Sequence, residues 1–299
     1  MESRVDIIQS VPEYLKYIEG IPNLAATTNS LGCFTFYRGQ ANADWGLSPS
    51  LYRQGLFNVE SLLLTELRHI CPTEFTDNKF DTLVKLQHFG LPTRLLDTTT
   101  NPLVALYFAC DSNRETNSDA AVFIFPNLPV LWSTNVLVQF VMDYVFEYAP
   151  ESICLEDMLQ QLNVKHGGQK YGIRPEELWS WSYALRNPAF AVMPTKGNRR
   201  IEAQSGAFFI YGMALSNTTV STNQGTYGKV YYTFNKVDID APNKLWHLAQ
   251  KVIIPSSAKP GIMQQLDLLG INEGKLFPDL SHQIKYVTDL VKKTALKLQ

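Results

Sequence analysis

With 299 residues, 45% of them hydrophobic and 18% charged, the chain has the make-up of a folded protein that can bury a substantial core, which excludes disorder as the default. A net charge of -2 and a pI near 6.2 leave no bulk attraction for nucleic acid or for an anionic membrane. Cys33, Cys71, Cys110 and Cys154 form neither a CxxC pair nor a Cys/His spacing for zinc, so neither a disulfide framework nor a structural metal is expected. The opening residues include Glu2 and Asp6 and lack the apolar core of a secretory signal, and no stretch approaches the roughly 20 apolar residues of a membrane span. A cytoplasmic protein with reduced thiols and no membrane partner is the expectation.

In chain order, Ser10, Pro12 and Glu13 mark a helix start, Tyr14, Leu15 and Ile18 share one side, and Gly20 ends it. The apolar and aromatic run over 31–37 predicts a buried strand. It ends in Arg38-Gly39-Gln40, a permanent cation beside backbone that a ligand can approach closely. Pro49 and Ser50 predict a turn before a helix over 58–70, with Val59, Leu62, Leu63 and Leu67 on one face and Glu66, Arg68 and His69 in solvent. A second helix is expected over 79–89, capped by Asn78 and closed by Gly90, with His88 serving the helix end. Leu91-Pro92 then forces an extended path, and TRLLD reads as a short buried strand. Asn101 and Pro102 begin a helix that is apolar all round, and therefore buried, from Leu103 to Cys110. Its N-terminus follows three threonines and can hold an anion.

Beyond it, 120–125 predicts a strand and 131–164 is helical in pattern. His166-Gly167-Gly168 breaks that pattern ahead of Trp179 and Trp181, which read as packing residues because no basic cluster is interleaved with them. Arg199, Arg200, Glu202 and Gln204 lead along an extended path, through Ser205-Gly206, into the strand AFFIY. Strands at 229–234 and 251–255, a helix over 258–269 and a helix begun by Pro278 complete the chain. With no repeat and no clear linker, a single α+β domain over 1–299 is expected, with a helical insertion at 127–193.

Three polar groups recur beside strands and glycines: Tyr37-Arg38-Gly39-Gln40, Arg94 with 97–100, and 199–204. A buried Arg94 or Asp97 needs a partner, and the two can pin the core by pairing with each other, or Asp97 with Arg38. Nothing in the chain matches a nucleotide P-loop, a GxSxG elbow, an HExxH zinc helix or an EF-hand loop.

FYRGQ and W.LSPSLYR, then LQHFGLPTRLLDTTTNPLVALYFA, RIEAQSGAFF, and finally IP, LGI and LFPDL together resemble the FRG domain family, over roughly 34–280. Thr98 departs from the tryptophan that the family most often carries there. The resemblance implies a bacterial or phage setting and a role in antiviral defence, as an effector or toxin. At a second level, a strand ending in Arg-Gly, hydroxyls leading into an apolar helix and a polar residue at a third strand are similar to ADP-ribosyltransferases. That similarity implies a split, mixed or antiparallel β-sheet core with peripheral helices, and NAD as a substrate whose ADP-ribose passes to a macromolecular acceptor. It assigns Arg38 to an NAD phosphate or ribose, within a binding set of Tyr37, Arg38, Gly39 and Gln40. Thr98, Thr99 and Thr100 fall to the nicotinamide ribose, and Tyr107 or Tyr37 stacks on the nicotinamide ring.

Where such transferases place a catalytic glutamate, Gln204 stands here, and on an extended strand Glu202 would share its face. The catalytic set implied is therefore Arg38, Gln204 and Glu202. A neutral amide at the third position leaves a non-catalytic module, sensing a nucleotide or a phage component, as the alternative. A nucleic-acid-processing enzyme, suggested by Trp179, Trp181, Arg199 and Arg200, is the second.

Overall fold

The computed structural model describes residues 6–21, 32–111, 117–147, 152–154, 189–195, 197–211, 214–220, 230–235 and 241–297. Strand β1 (Asp6–Ile7) and helix α1 (Val11–Glu19) precede β2 (Cys33–Gln40), which leads to α2 (Ser50–Arg53), α3 (Glu60–Ile70) and α4 (Lys79–His88). Next come β3 (Leu95–Thr99), α5 (Pro102–Cys110), β4 (Ala120–Trp132), α6 (Val136–Glu147), β5 (Ser152–Cys154) and β6 (Ala189–Met193). The remainder is α7 (Arg199–Ala203), β7 (Gly206–Tyr211), β8 (Ala214–Val220), β9 (Val230–Asn235), α8 (Ala241–Trp246), β10 (Gln250–Ile254), α9 (Lys259–Leu268), α10 (Glu273–Leu276) and α11 (Leu280–Lys297).

Local signals set most helix ends. The Asn78 side chain accepts from the amides of Phe80 and Asp81, Asn101 from that of Leu103, and Ser10 from that of Glu13, each taking up an N–H that the first turn leaves unpaired. Gly90 closes α4 at φ 98°, a conformation that an L side chain resists.

The main sheet runs β1-β10-β4-β2-β3-β7-β6 and mixes strand directions, with β1/β10 and β4/β6 parallel and the other pairs antiparallel. Because the far half of β4 (Val130 to Trp132) also pairs with β6, strands β4, β2, β3, β7 and β6 close into a ring. Alternation then sorts side chains to two faces. Phe36, Leu96, Phe123, Phe125 and Phe209 fill the inside, with Phe125 and Phe209 edge to face at 4.8 Å. Outside, α1, α5 and α9 cover β2, β4 and β10, whereas α3, α4 and α6 cover β3, β6 and β7. Strands β5, β9 and β8 form a separate antiparallel sheet.

Two departures from the sequence reading have clear causes. Pro126 and Pro129 look like the end of a strand at Phe125, yet β4 continues to Trp132. It does so by bending at Asn127, at φ 55°, opposite a register shift between Phe34 and Phe36. The stretch 199–203, expected to be extended, is a helix, because the Asn198 side chain accepts from the amides of Arg200 and Ile201 and caps it. Within 127–193 the described residues hold the end of β4, α6, β5 and β6. Trp179, Trp181 and His166-Gly167-Gly168 lie outside the described residues. No helix among the described residues is long and apolar enough to cross a membrane, and Cys33, Cys71 and Cys110 are free thiols.

Candidate functional site

The ring is weakest between β2 and β3, which share a single pair, Tyr37 with Thr99, whereas each of the other four joints holds three or more. Past that pair the strands part, and the Arg38 guanidinium reaches across to the carbonyl of Asp97, taking the place of a ladder bond. On the outer face of β2, Gly39 touches α5: a Cβ at this position would lie 1.9 Å from the Ala105 carbonyl oxygen. The glycine after Arg38 is thus required by the helix on its back. One helical layer sits on β2 and the other on β3 and β7, so a furrow follows the seam between them.

A hollow of about 220 Å³ occupies this furrow, lined among others by Arg38, Asp97, Thr98, Thr99, Arg200 and Gln204. The Thr98 hydroxyl is buried and has no hydrogen-bond partner among the described residues. Thr99 is engaged: its hydroxyl donates to the Gln204 carbonyl at 2.7 Å and accepts from the Asn101 amide at 3.0 Å, fixing the turn into α5. Asp97 is exposed at the lip, and its carboxylate accepts from the Gln87 amide at 2.8 Å. Gln87 in turn accepts from the Thr93 hydroxyl, so the carboxylate is held by a short chain of hydrogen bonds.

Two neighbouring hollows continue the furrow. One of about 230 Å³ shares Arg38, Gln87 and Asp97 and adds Ser50 and the exposed Arg53. The other, of about 830 Å³, lies beyond a wall formed by Val84, His88, Asn198, Arg200 and Ile201, which line both it and the first hollow. The Arg200 guanidinium lies over the Phe277 ring at 4.7 Å, and His282, which bonds the carboxylate of Asp279, stacks on the same ring at 4.9 Å. Burial, opposed and outweighed by hydrogen bonds from His282 and Ser281, leaves the Asp279 carboxyl at about 2. His88 is also lowered: partial burial first, then the charge of Arg200, reduce its affinity for a proton.

Of the residues singled out in the sequence, Tyr37, Arg38, Gly39, Thr98, Thr99 and Gln204 converge on the first hollow. Four do not line it. Gln40 is buried and donates to the Gly46 carbonyl, Thr100 bonds Ser205, and Tyr107 is packed inside the layer between α5 and the sheet. Glu202 is exposed on α7, so it does not share a strand face with Gln204, whose own amide donates to the Leu276 carbonyl at 3.0 Å. Arg94 does not pair with Asp97, and Arg38 meets the Asp97 carbonyl rather than its carboxylate; Arg94 forms a buried, forked ion pair with Glu60 at the start of α3. Asp97, expected to be a structural pin, is a lining residue instead. Phe108, Gln87, Asn198 and Arg200 also line the hollow. The alternation of β3 carried a signal for Asp97, since Leu96 and Thr98 face inward and Asp97 must face out.

Replacing Arg38 by alanine removes the charge-assisted bond across the seam and should cost about 1–3 kcal/mol of stability. A urea midpoint equal to that of the native chain would contradict this bridging role.

A mixed-direction ring with peripheral helices and a furrow along its open seam is the architecture, and the family model of the FRG domain matches residues 34–118, so this part of the chain is an FRG domain. The matched part supplies Arg38 and Gly39 on one lip of the seam and 97–99 on the other; Asn198, Arg200 and Gln204 lie beyond the match. No curated protein and no solved structure matches the chain.

Proposed function

We propose that the furrow binds NAD and that the protein transfers ADP-ribose from it to a macromolecular acceptor, as the resemblance to ADP-ribosyltransferases implies. The observation that carries this reading is the convergence of Arg38, Thr98, Thr99 and Gln204, up to 166 positions apart in the chain, on one hollow at the split between β2 and β3. The ligand class suits the residues. Arg38 and Arg53 put permanent positive charge along the two smaller hollows, as a pyrophosphate requires. Tyr37 and Phe108 offer aromatic surface, and Thr98 lines the same hollow. At about 220 and 230 Å³, the two hollows together fall within the range usual for small-molecule sites, roughly 300–1,000 Å³.

In such a transfer the bond from ribose C1′ to nicotinamide breaks, the electron pair leaves with nicotinamide, and an acceptor lone pair forms the new bond to C1′. Positive charge develops on the ribose, and a fixed carboxylate stabilises it. Among the described lining residues of the first hollow, Asp97 is the one carboxylate, oriented by Gln87. Asp97→Asn should therefore retain NAD affinity within about twofold while nicotinamide release falls by about 10²–10³. Calorimetry with NAD, together with nicotinamide release and transfer of adenylate-labelled NAD to proteins of a cell extract, tests the reading. Failure to bind NAD would end it.

A second reading is favoured by Gln204, whose neutral amide is already donated to the Leu276 carbonyl. On this view the furrow holds a nucleotide without turning it over. Tight NAD binding with no nicotinamide release from the native chain would support it over the transferase.

A further inference from the structure

The 830 Å³ hollow is left over once a dinucleotide is assigned to the two smaller ones, and it shares a wall with the first of them. We infer that this hollow receives a hydroxyl-bearing protein segment and that His88, on the wall, is the base that accepts the hydroxyl proton as its oxygen attacks. The inference rests on the transferase reading and adds the acceptor class and a catalytic residue to it.

Among the described residues five line both hollows, and four of them are unsuited to this role. Val84 and Ile201 are apolar, the Asn198 side-chain oxygen caps α7, and Arg200 is a permanent cation stacked on Phe277. Only the imidazole of His88 can take a proton near neutral pH. The charged and titratable groups that act on it are Arg200 from α7 and Asp279 and His282 from the start of α11; burial and Arg200 favour the neutral ring, His282 adds to this, and Asp279 opposes it. Lys85, one turn back on α4, and Asp97 on β3 line the same hollows, Lys85 paired with Glu74 and Asp97 with Gln87. Two of the residues lining the larger hollow, Phe89 at 76% and Leu280 at 75% exposure, add apolar surface to a polar lining, a mixture suited to polypeptide.

The chemistry then selects the acceptor. A carboxylate brings no proton to be removed, whereas a hydroxyl must lose one for its oxygen to form the C1′–O bond. In the balanced step the electron pair of the C1′–N bond leaves with neutral nicotinamide, an oxygen lone pair bonds C1′, and the hydroxyl proton passes to His88. The products are an O-linked ADP-ribose and an imidazolium.

The test compares the native chain with His88→Asn and with Thr195→Trp, which fills the larger hollow. The probes are adenylate-labelled NAD and proteins of a cell extract, with neutral hydroxylamine to release ester-linked label. The expected result is hydroxylamine-resistant label, reduced about 10²-fold or more in His88→Asn with unchanged NAD affinity. The native rate should also fall as pH drops through the lowered ionisation of His88, and the variant should lack that limb. Thr195→Trp should stop protein labelling while nicotinamide release to water persists. Hydroxylamine-sensitive label, or His88→Asn labelling protein as fast as the native chain, would overturn the inference and leave the transferase reading standing. NAD binding with no labelled protein would also overturn it, in favour of the nucleotide-holding module. No NAD binding at all would remove both.

Discussion

Arg94→Ala should lower the free energy of unfolding by about 3–5 kcal/mol, enough to leave a single domain of this size marginal. Arg94 has 0% and Glu60 2% relative exposure, and the guanidinium meets both carboxylate oxygens while also donating to the Tyr211 carbonyl at 3.1 Å. Truncation would strand a buried carboxylate, and that desolvation, rather than the value of the pair itself, dominates the loss. Replacing both partners, with Glu60→Leu and Arg94→Met together, should therefore recover most of the stability, since neither charge is then left alone. Urea unfolding of the two single variants and the double variant gives the comparison. A double variant as unstable as Arg94→Ala would show that the hydrogen bond to Tyr211, and not the stranded charge, governs the site.

Gly39→Val is the second change with a large expected effect. The backbone at this position has no unusual torsion, so the cost comes from space alone: a Cβ would stand 1.9 Å from the Ala105 carbonyl oxygen and 2.6 Å from the Ala109 nitrogen, both main-chain atoms of α5 that cannot rotate away. The helix must lift from β2, which should cost about 1–3 kcal/mol or more. The displacement would also move Phe108 on α5 and Tyr37 on β2, which line the first hollow, so the NAD affinity proposed for it should fall along with thermal stability. Gly46→Ala, where an added Cβ meets nothing within 4 Å, is the matched control and should change neither. Equal melting temperatures for Gly39→Val and the native chain would show that α5 sits less tightly than these distances require.

Features decided within a few residues were legible in the sequence. Asn78, Asn101 with Pro102, and Gly90 act on the turn next to them, and α4, β3 and α5 lie close to where those signals put them. The Arg94 partner was not legible, because Glu60 lies 34 residues away and nothing in a helix start reports which strand will cover it. The stretch at 199–203 was misread because the helix owes its start to the Asn198 cap, while Ser205-Gly206 signalled the strand that follows it. At the site, Arg38 and the threonines were marked by their glycine and helix-start neighbours. Gln87, Arg53 and Asn198 were not, since they meet only after the ring has closed and two helical layers have been laid on it.

The single rung between β2 and β3 also bears on how ligand and fold depend on each other. A barrel wall stitched at four joints and only tacked at the fifth is compliant in one direction, across the seam. A molecule gripped by Arg38 on one lip and Thr98 on the other would serve as the missing stitches, and part of its binding free energy would become cohesion of the wall. Gaps in strand pairing usually count against a sheet; here a ligand across the gap would make occupancy and integrity one quantity.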